Sequence, residues 1–134
     1  MKIANLFSKD AWDIKMTHIL KKFYTKNFTK TYFYQGKATW ANSTWLGVET
    51  LKVPTDMWVY QELIFSLRPD FIIETGTWKG GSALYMATLC EMMGHGTVIT
   101  IDISACETTH PRIIKIVDDA GSTAEHVINR VKDI

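Results

Sequence analysis

The sequence has few cysteines, the residues whose disulfides stabilise small secreted proteins, and it lacks the long apolar runs of membrane helices. It contains two cysteines, Cys90 and Cys106, among 134 residues, and one pair makes neither a disulfide framework nor a metal cluster. No uncharged apolar run approaches the roughly 20 residues that a membrane helix needs. The opening "MKIANLFSKD" lacks the sustained apolar core of a secretory signal. We therefore expect a reduced, cytoplasmic setting.

Repeats, low-complexity segments and metal-binding histidine patterns are also missing. The four histidines, at positions 18, 95, 110 and 126, show no metal spacing, and we expect none of them to be a catalytic base. The chain is 46% hydrophobic and 22% charged, which is the composition of an ordinary globular protein. Its length favours one domain.

The formal net charge of +1 is unevenly distributed. Residues 1–52 carry nine lysines and three acidic residues, whereas residues 53–134 carry six basic and eleven acidic ones. This asymmetry indicates two parts with different roles. We interpret residues 1–52 as a basic, aromatic N-terminal arm and residues 53–134 as the start of a second domain.

The arm contains a helical pattern followed by a polar, aromatic stretch. One helix face holds Trp12, Met16, Ile19, Leu20 and Phe23, with Ser8 or Asp10 as its N-cap. From Thr25 to Thr44 we expect a loop with at most one short strand, because Gly36 breaks the pattern. We favour a helix packed on the domain with a solvated basic face. An anionic membrane surface or glycolipid substrate and single-stranded nucleic acid are the alternatives, the last of them the least favoured.

Residues 53–134 alternate helix and strand. Pro54 and Asp56 suit a helix start, Pro69 ends that helix, and its core face holds Met57, Tyr60, Ile64 and Leu67. The runs "FII", "TVITID" and "RIIKIV" predict buried parallel strands. Only Ile103 to Pro111 separates the last two, so we expect no full helix there. A second helix runs from Ser82 to Met93, and a third follows a capping box of Ser122 and Glu125.

The run "FIIETGTWKGGSALYMATL" predicts a ligand site. Glu74 ends a strand, Gly76, Gly80 and Gly81 make a turn, and a helix with free N–H groups begins near Ser82. Asp102 ends the next strand, where an acid accepts hydrogen bonds from ribose hydroxyls. We expect both carboxylates to face one cleft. The alternative, that they are only strand-end acids beside an ordinary turn, stays open.

The spacing of this turn narrows the ligand class. The glycines are spaced G-x-x-x-G-G, which matches neither the dinucleotide-binding pattern G-x-G-x-x-G nor a P-loop. This spacing disfavours a NAD-dependent oxidoreductase. The carboxylate of Glu74 repels a phosphate and favours an ammonium group. A ligand with an amino group, a carboxylate, a ribose and an adenine fits these features, and S-adenosylmethionine has all four.

The chain from about Trp45 to its end resembles the cephalosporin hydroxylase / rhamnosyl O-methyltransferase family. The resemblance lies in "WLGVETLKVPTDMWVYQELIFSLRPDFIIETGTWKGGSALYMA", "GHGTVITIDI" and "HPRI", most specifically in "TDMWVYQE" and "ETGTWKGGS". It implies an α/β, Rossmann-like class I methyltransferase fold. Here that fold would be incomplete, with three parallel strands in the order 3-2-1, flanking helices and the basic helical arm in front.

The resemblance also implies roles for single residues. Glu74, Gly76, Thr77 and Ser82 would hold the amino-acid end of S-adenosylmethionine, with Gly80 and Gly81 shaping the turn. Asp102 would hold the ribose and Ile103 would flank the adenine. Asp119, Gly121 and Ser122 fall where this fold contacts adenine. Trp45, Trp58 and Trp78 are candidates to line a substrate pocket, Trp78 being the best placed and Trp58 better suited to the core.

The resemblance implies O-methyl transfer to a small-molecule or sugar hydroxyl, with a glycan or glycolipid as a possible acceptor. The acids that would bind a divalent metal such as Mg follow a fourth strand, which this chain does not contain. We therefore name no catalytic residue or metal ligand here, and expect a fragment or natural truncation that is inactive alone. Its "FII" strand would be an exposed edge, open to another chain, including a second copy. A non-catalytic nucleotide-binding or interaction module is the alternative.

Overall fold

A computed structural model describes residues 9–34, 39–119 and 124–134. The chain divides into two compact units, Met1–Thr39 and Trp40–Ile134, whereas the charge distribution divides it after residue 52. Among the described residues, no helix is both long and apolar enough to cross a membrane.

The N-terminal unit is more helical than the sequence predicts. Helix α1 spans Lys9–Thr29 and continues as a π-helix over Lys30–Tyr34, so the predicted loop from Thr25 is wrong as far as Tyr34. The rings of Phe28 and Tyr32 stack with centroids 5.2 Å apart. This is an i, i+4 pair, which stabilises a continuing helix. Ser8 and Gly36 lie outside the described residues.

The apolar side chains of α1 from Met16 to Phe23 are exposed. Met16, Ile19 and Leu20 are 45–52% exposed and Phe23 is 61% exposed. The prediction that this face packs on the domain remains a prediction.

The second unit opens with a short helical turn and a hairpin. A 3-10 helix spans Thr39–Asn42, and strands β1 (Thr44–Trp45) and β2 (Val48–Glu49) pair antiparallel. Leu46 and Gly47 both have positive φ angles, as a two-residue type I′ turn requires. This hairpin was not predicted from the sequence, which placed its one short strand between Thr25 and Thr44.

A parallel sheet forms the body of the second unit. Its elements are α2 (Pro54–Leu67), β3 (Phe71–Thr75), α3 (Gly81–Met92), β4 (Thr97–Asp102), β5 (Ile113–Val117) and α4 (Glu125–Lys132). The three strands are all parallel, as the sequence predicts, and they lie in the order β3-β4-β5. The link between β4 and β5 contains no helix, also as predicted. Strand β3 is therefore an edge of this sheet.

Both faces of the central strand β4 are buried, whereas Phe71 and Ile73 of β3 are 49% and 57% exposed, so the prediction that "FII" is a buried strand is wrong at these two residues. Alternate residues of β4 point to opposite sides: Val98 joins a cluster with Ile64 of α2 and Ala87 of α3, whereas Ile99 packs with Ile116 and Val127. Burial on both faces explains the nearly continuous apolar run of β4.

Helix α2 differs from its predicted packing at two positions. Ile64 is buried, and Met57 and Tyr60 pack on the same cluster, but Leu67 is 71% exposed. The prediction for Leu67 is wrong because it lies in the last turn, beside the open edge of the sheet. Trp58 is 67% exposed rather than in the core. Trp58 lies about 100° around the helix from Met57, away from the face that packs on the cluster.

The last helix begins later than the capping-box prediction requires. Ala124 occupies the N-cap of α4, and Glu125 is its first residue. Glu125 therefore cannot be the third helical residue, as a capping box needs. Ser122 itself lies outside the described residues.

Candidate functional site

A glycine-rich turn connects β3 to α3. The N–H of Gly76 donates to the carbonyl of Ile101 over 2.8 Å, and the N–H of Gly80 donates to the carbonyl of Thr77 over 2.8 Å. Gly76 and Gly80 both have φ near +85°, a region that side chains disfavour. Nothing lies within 4 Å of where a Cβ of Gly76 would stand. The backbone at Gly76 is therefore open to close approach by a ligand.

Gly81 is required for a different reason. A Cβ at Gly81, the first residue of α3, would collide with the Thr50 hydroxyl and the Glu49 carbonyl oxygen. Thr50 is itself 1% exposed. The segment after β2 is therefore fixed against the start of α3, next to the turn.

The Glu74 side chain is buried at the end of β3, with 8% of the residue exposed. The Ser82 hydroxyl donates to its Oε1, and the Thr100 hydroxyl donates to its Oε2 over 3.0 Å. Burial raises the pKa of Glu74 above its ordinary value, while these hydrogen bonds and the charge of Lys52 act in the opposite direction. Glu74 is thus a buried carboxyl, held by hydroxyl donors from two other elements.

Thr100 is a site residue that the sequence analysis missed. It is 1% exposed, and its hydroxyl lies 2.6 Å from that of Thr77. Because Thr100 gives its one proton to Glu74, Thr77 donates to Thr100. The hydroxyl of Thr100 in the middle of the apolar run "TVITID" was the available signal, since a buried polar group needs a partner.

Asp102 holds the glycine turn through backbone groups. Its Oδ2 accepts from the N–H of Thr77 over 2.6 Å and of Trp78 over 2.9 Å, and its Oδ1 accepts from the N–H of Ser104 over 3.0 Å. The hydrogen bond from Trp78, followed by that from Ser104, lowers the pKa of Asp102. These bonds also secure Trp78, whose φ of 52° is uncommon for a bulky residue.

Glu74 and Asp102 lie at neighbouring strand ends but line different cavities. Glu74 lines a cavity of about 430 Å³ between α2 and the edge strand β3. Asp102 lines a second cavity of about 780 Å³, with Trp78 and Ile103. The expectation of one shared cleft is therefore not met. The N–H groups of the turn draw the Asp102 carboxylate to the other side of the turn.

The remaining predicted residues fall in three groups. Ile103 and Trp78 are 65% and 56% exposed and line the second cavity, as does Lys79. Asp119 is exposed after β5 and is not among the described residues that line either cavity. Gly121 and Ser122 lie outside the described residues.

Two of the tryptophans proposed for a substrate pocket have other positions. Trp45 packs edge-to-face on Tyr85 at 4.8 Å, and its indole N–H donates to the Thr88 hydroxyl over 3.1 Å. Trp45 therefore belongs to the core. Trp58 lies on the exposed side of α2, where its indole N–H donates to Glu62 over 3.2 Å.

Neither a histidine nor a metal cluster marks this site within the described ranges. No histidine is among the described residues that line the two cavities. No group of three or more His, Cys, Asp or Glu side chains could hold a metal ion there. The described residues thus do not fit a metal ion, but the open backbone at Gly76 and the buried carboxyl of Glu74 fit an organic ligand with an ammonium group.

The fold defines an α/β domain with a glycine turn and two cavities beside a parallel sheet. Comparison with known proteins gives the family. The profile of the Rhamnosyl O-methyltransferase/CmcI family matches residues 37–134, and the chain belongs to this family. The resemblance inferred from the sequence is confirmed.

Curated relatives match part of the chain. The rhamnosyl O-methyltransferase of Mycobacterium leprae (strain TN) is 41% identical over 73 residues, which are 54% of this chain and 32% of that protein. The rhamnosyl O-methyltransferase of Mycobacterium tuberculosis (strain ATCC 25618 / H37Rv) is 40% identical over 73 residues, which are 54% of this chain and 30% of that protein. The matched segment spans about a third of these relatives' length.

Solved structures of CmcI share the fold. A CmcI structure with SAH has a TM-score of 0.56 and 30% identity, covering 59% of this chain and 44% of that one. A CmcI structure with Mg-SAM has a TM-score of 0.59 and 28% identity, covering 66% and 40%.

Proposed function

We propose that this chain is the cofactor-binding part of an S-adenosylmethionine-dependent O-methyltransferase that acts on a small-molecule or sugar hydroxyl. One observation carries the proposal: a buried carboxyl, that of Glu74, lies near the carboxyl end of β3 beside a glycine turn and lines a cavity. The family supports it, because its curated relatives are rhamnosyl O-methyltransferases and CmcI structures contain SAH or SAM.

Glu74 would accept hydrogen bonds from the ammonium group of the cofactor. Ser82 and Thr100 already donate to its two oxygens, so they fix the plane of the carboxylate before a ligand arrives. The open backbone at Gly76 lets the amino-acid end come close. Burial raises the pKa of Glu74 and so favours its neutral form. An ammonium ligand acts in the opposite direction, since it binds the ionised carboxylate and favours that form.

Because Glu74 and Asp102 line different cavities, the cofactor would cross the glycine turn, with its other end toward Asp102. Its carboxylate is occupied by three N–H groups but keeps acceptor capacity for a ribose hydroxyl. Ile103 and Trp78 offer exposed apolar surface for the adenine. We keep Asp119, Gly121 and Ser122 as further proposed adenine contacts. When bound, the cofactor supplies an electrophilic methyl group on its sulfonium.

We further propose that acceptor activation depends on residues outside this chain. Methyl transfer to a hydroxyl needs an oriented acceptor and often a base or metal. The described residues that line the two cavities offer no histidine base, and we derive no step through a metal. The expected outcome is that the chain alone binds cofactor but transfers methyl groups far below an enzyme's usual rate.

Isothermal titration calorimetry with S-adenosylhomocysteine tests the proposal. We expect the chain to bind it, Glu74→Gln to weaken binding at least about tenfold through loss of a charge-assisted hydrogen bond, and Asp102→Asn to weaken it as well. Glu62→Gln, at an exposed position of α2, is the matched control and should bind like wild type. No binding to the wild-type chain, or full affinity in Glu74→Gln, would contradict the proposal.

A further inference from the structure

We propose that Lys52 is the carboxylate-binding residue of the cavity lined by Glu74. The two side chains would together bind an amino-acid zwitterion, with its ammonium on Glu74 and its carboxylate on Lys52. The inference rests on the proposed function and deepens it, since it names the residue that binds the other charged group of the cofactor's amino-acid end.

The lining of the cavity carries this inference. Twelve described residues line the space of about 430 Å³, and Lys52 and Glu74 are the two charged ones among them. The others are apolar or neutral, including Tyr60, Ile73 and Met86. One cation and one anion in an apolar cavity match a ligand with one carboxylate, one ammonium and an apolar chain. A dianionic phosphate would meet Glu74 as a like charge.

The fold holds Lys52 at this cavity. Thr50 is fixed against Gly81, and the Lys52 N–H donates to the Thr50 carbonyl over 2.8 Å. The side chain then approaches α2, where its Nζ lies 5.8 Å from the centroid of the Tyr60 ring. A lysine ammonium at this range is attracted by the ring face. The position of Lys52 thus depends on packing at the start of α3.

Lys52 also acts on Glu74 in the absence of ligand. Its charge lowers the pKa of Glu74, against the larger effect of burial. If Lys52 were only a counter-ion of Glu74, a variant without Lys52 would still bind ammonium ligands, whether or not they carry a carboxylate. A carboxylate-binding role predicts instead a loss restricted to ligands that carry a carboxylate. The two roles are therefore separable with two ligands.

The test is calorimetry on the full chain with S-adenosylhomocysteine and its decarboxylated analogue, which keeps the adenosine, thioether and amine. We expect Lys52→Met to weaken S-adenosylhomocysteine about tenfold or more, as for a lost charge-assisted hydrogen bond. The decarboxylated analogue should bind the variant and wild type equally. Lys52→Arg should retain most of the affinity for both, whereas Glu74→Gln should weaken both ligands.

The outcomes separate this inference from the function beneath it. If Lys52→Met weakens both ligands equally, or neither, Lys52 does not bind the carboxylate and the proposed function stands. If the wild-type chain binds neither ligand, the proposed function is wrong, and so is the inference that rests on it. Lys132→Met, at an exposed position of α4, is the matched control, and circular dichroism of each variant checks folding.

Discussion

The hydroxyl of Thr100 donates a hydrogen bond to Oε2 of Glu74 over 3.0 Å, between register partners of the parallel strands β3 and β4. Register partners in a sheet project their side chains to the same face. The Glu74 carboxyl is therefore oriented by the neighbouring strand as well as by Ser82 of α3. Two elements of the fold fix the group that we propose to bind the ligand.

Replacing Thr100 by valine should raise the pKa of Glu74 further. Valine keeps the shape but removes a hydrogen bond that favours the ionised carboxylate, and it leaves the Thr77 hydroxyl without its acceptor. We expect a higher Glu74 pKa in a 13C-carboxyl NMR titration and a loss of about 1–3 kcal/mol in the free energy of unfolding. Thr100→Ser keeps the hydroxyl and should restore the wild-type pKa. An unchanged pKa in Thr100→Val would show that the contact does not act on Glu74.

The buried carboxyl of Glu74 should make stability fall as the pH rises. Unfolded Glu74 ionises near its ordinary pKa of 4.5, whereas the folded-state pKa is higher. The folded chain therefore binds more protons between these two values, and stability decreases with pH across that window. Relative to wild type, Glu74→Gln should become more stable as the pH rises above 4.5.

Thermal unfolding from pH 4 to pH 8 measures this difference. The exposed control Glu62→Gln should follow the wild-type curve at every pH. A difference between Glu74→Gln and wild type that does not change with pH would mean that the burial of Glu74 is not linked to folding.

Asp102 should show the opposite pH dependence. Its pKa is lowered from the ordinary 3.8 by the N–H groups of Trp78 and Ser104 in the first place. Its stabilisation is then present above pH 3.8 and lost as the pH falls through the folded-state pKa. Asp102→Asn should be less stable than wild type at pH 7 and approach it in acid. Urea unfolding at pH 7 and in acid measures this difference. For the control Asp133→Asn, at an exposed position, the difference in stability from wild type should be the same at both pH values.

Alanine substitutions at Gly81 and Gly76 should differ in their effects. Gly81→Ala forces a Cβ onto Thr50 and the Glu49 carbonyl, so we expect a loss of about 1–3 kcal/mol or more from overpacking and displacement of Lys52. Gly76→Ala meets nothing within 4 Å but strains a residue at φ +85°, costing about 1–2 kcal/mol. Urea unfolding compares them. Equal stabilities of Gly81→Ala and wild type would show that the contact with Thr50 is not tight.

Local patterns were sufficient to predict the sheet and the turn. The apolar runs "FII", "TVITID" and "RIIKIV" predict the three parallel strands, although only the central strand β4 is buried on both faces. The positive φ angles of Gly76 and Gly80 suit the turn predicted between Glu74 and Ser82. The exposure of Trp58 and Leu67 was not predicted, since helical periodicity does not show which turns a neighbouring element covers.

The sequence by itself determined the order of helices and strands from Pro54 onward and the acids near two strand ends, because both depend on short-range periodicity and composition. Only the tertiary structure decided where those acids point. The N–H groups of Thr77 and Trp78 bind Asp102, whereas Ser82 and Thr100 bind Glu74. It also brought Lys52 into the cavity of Glu74, through packing of Thr50 on Gly81. Such contacts join residues far apart in the chain, and local spacing carries no information about them.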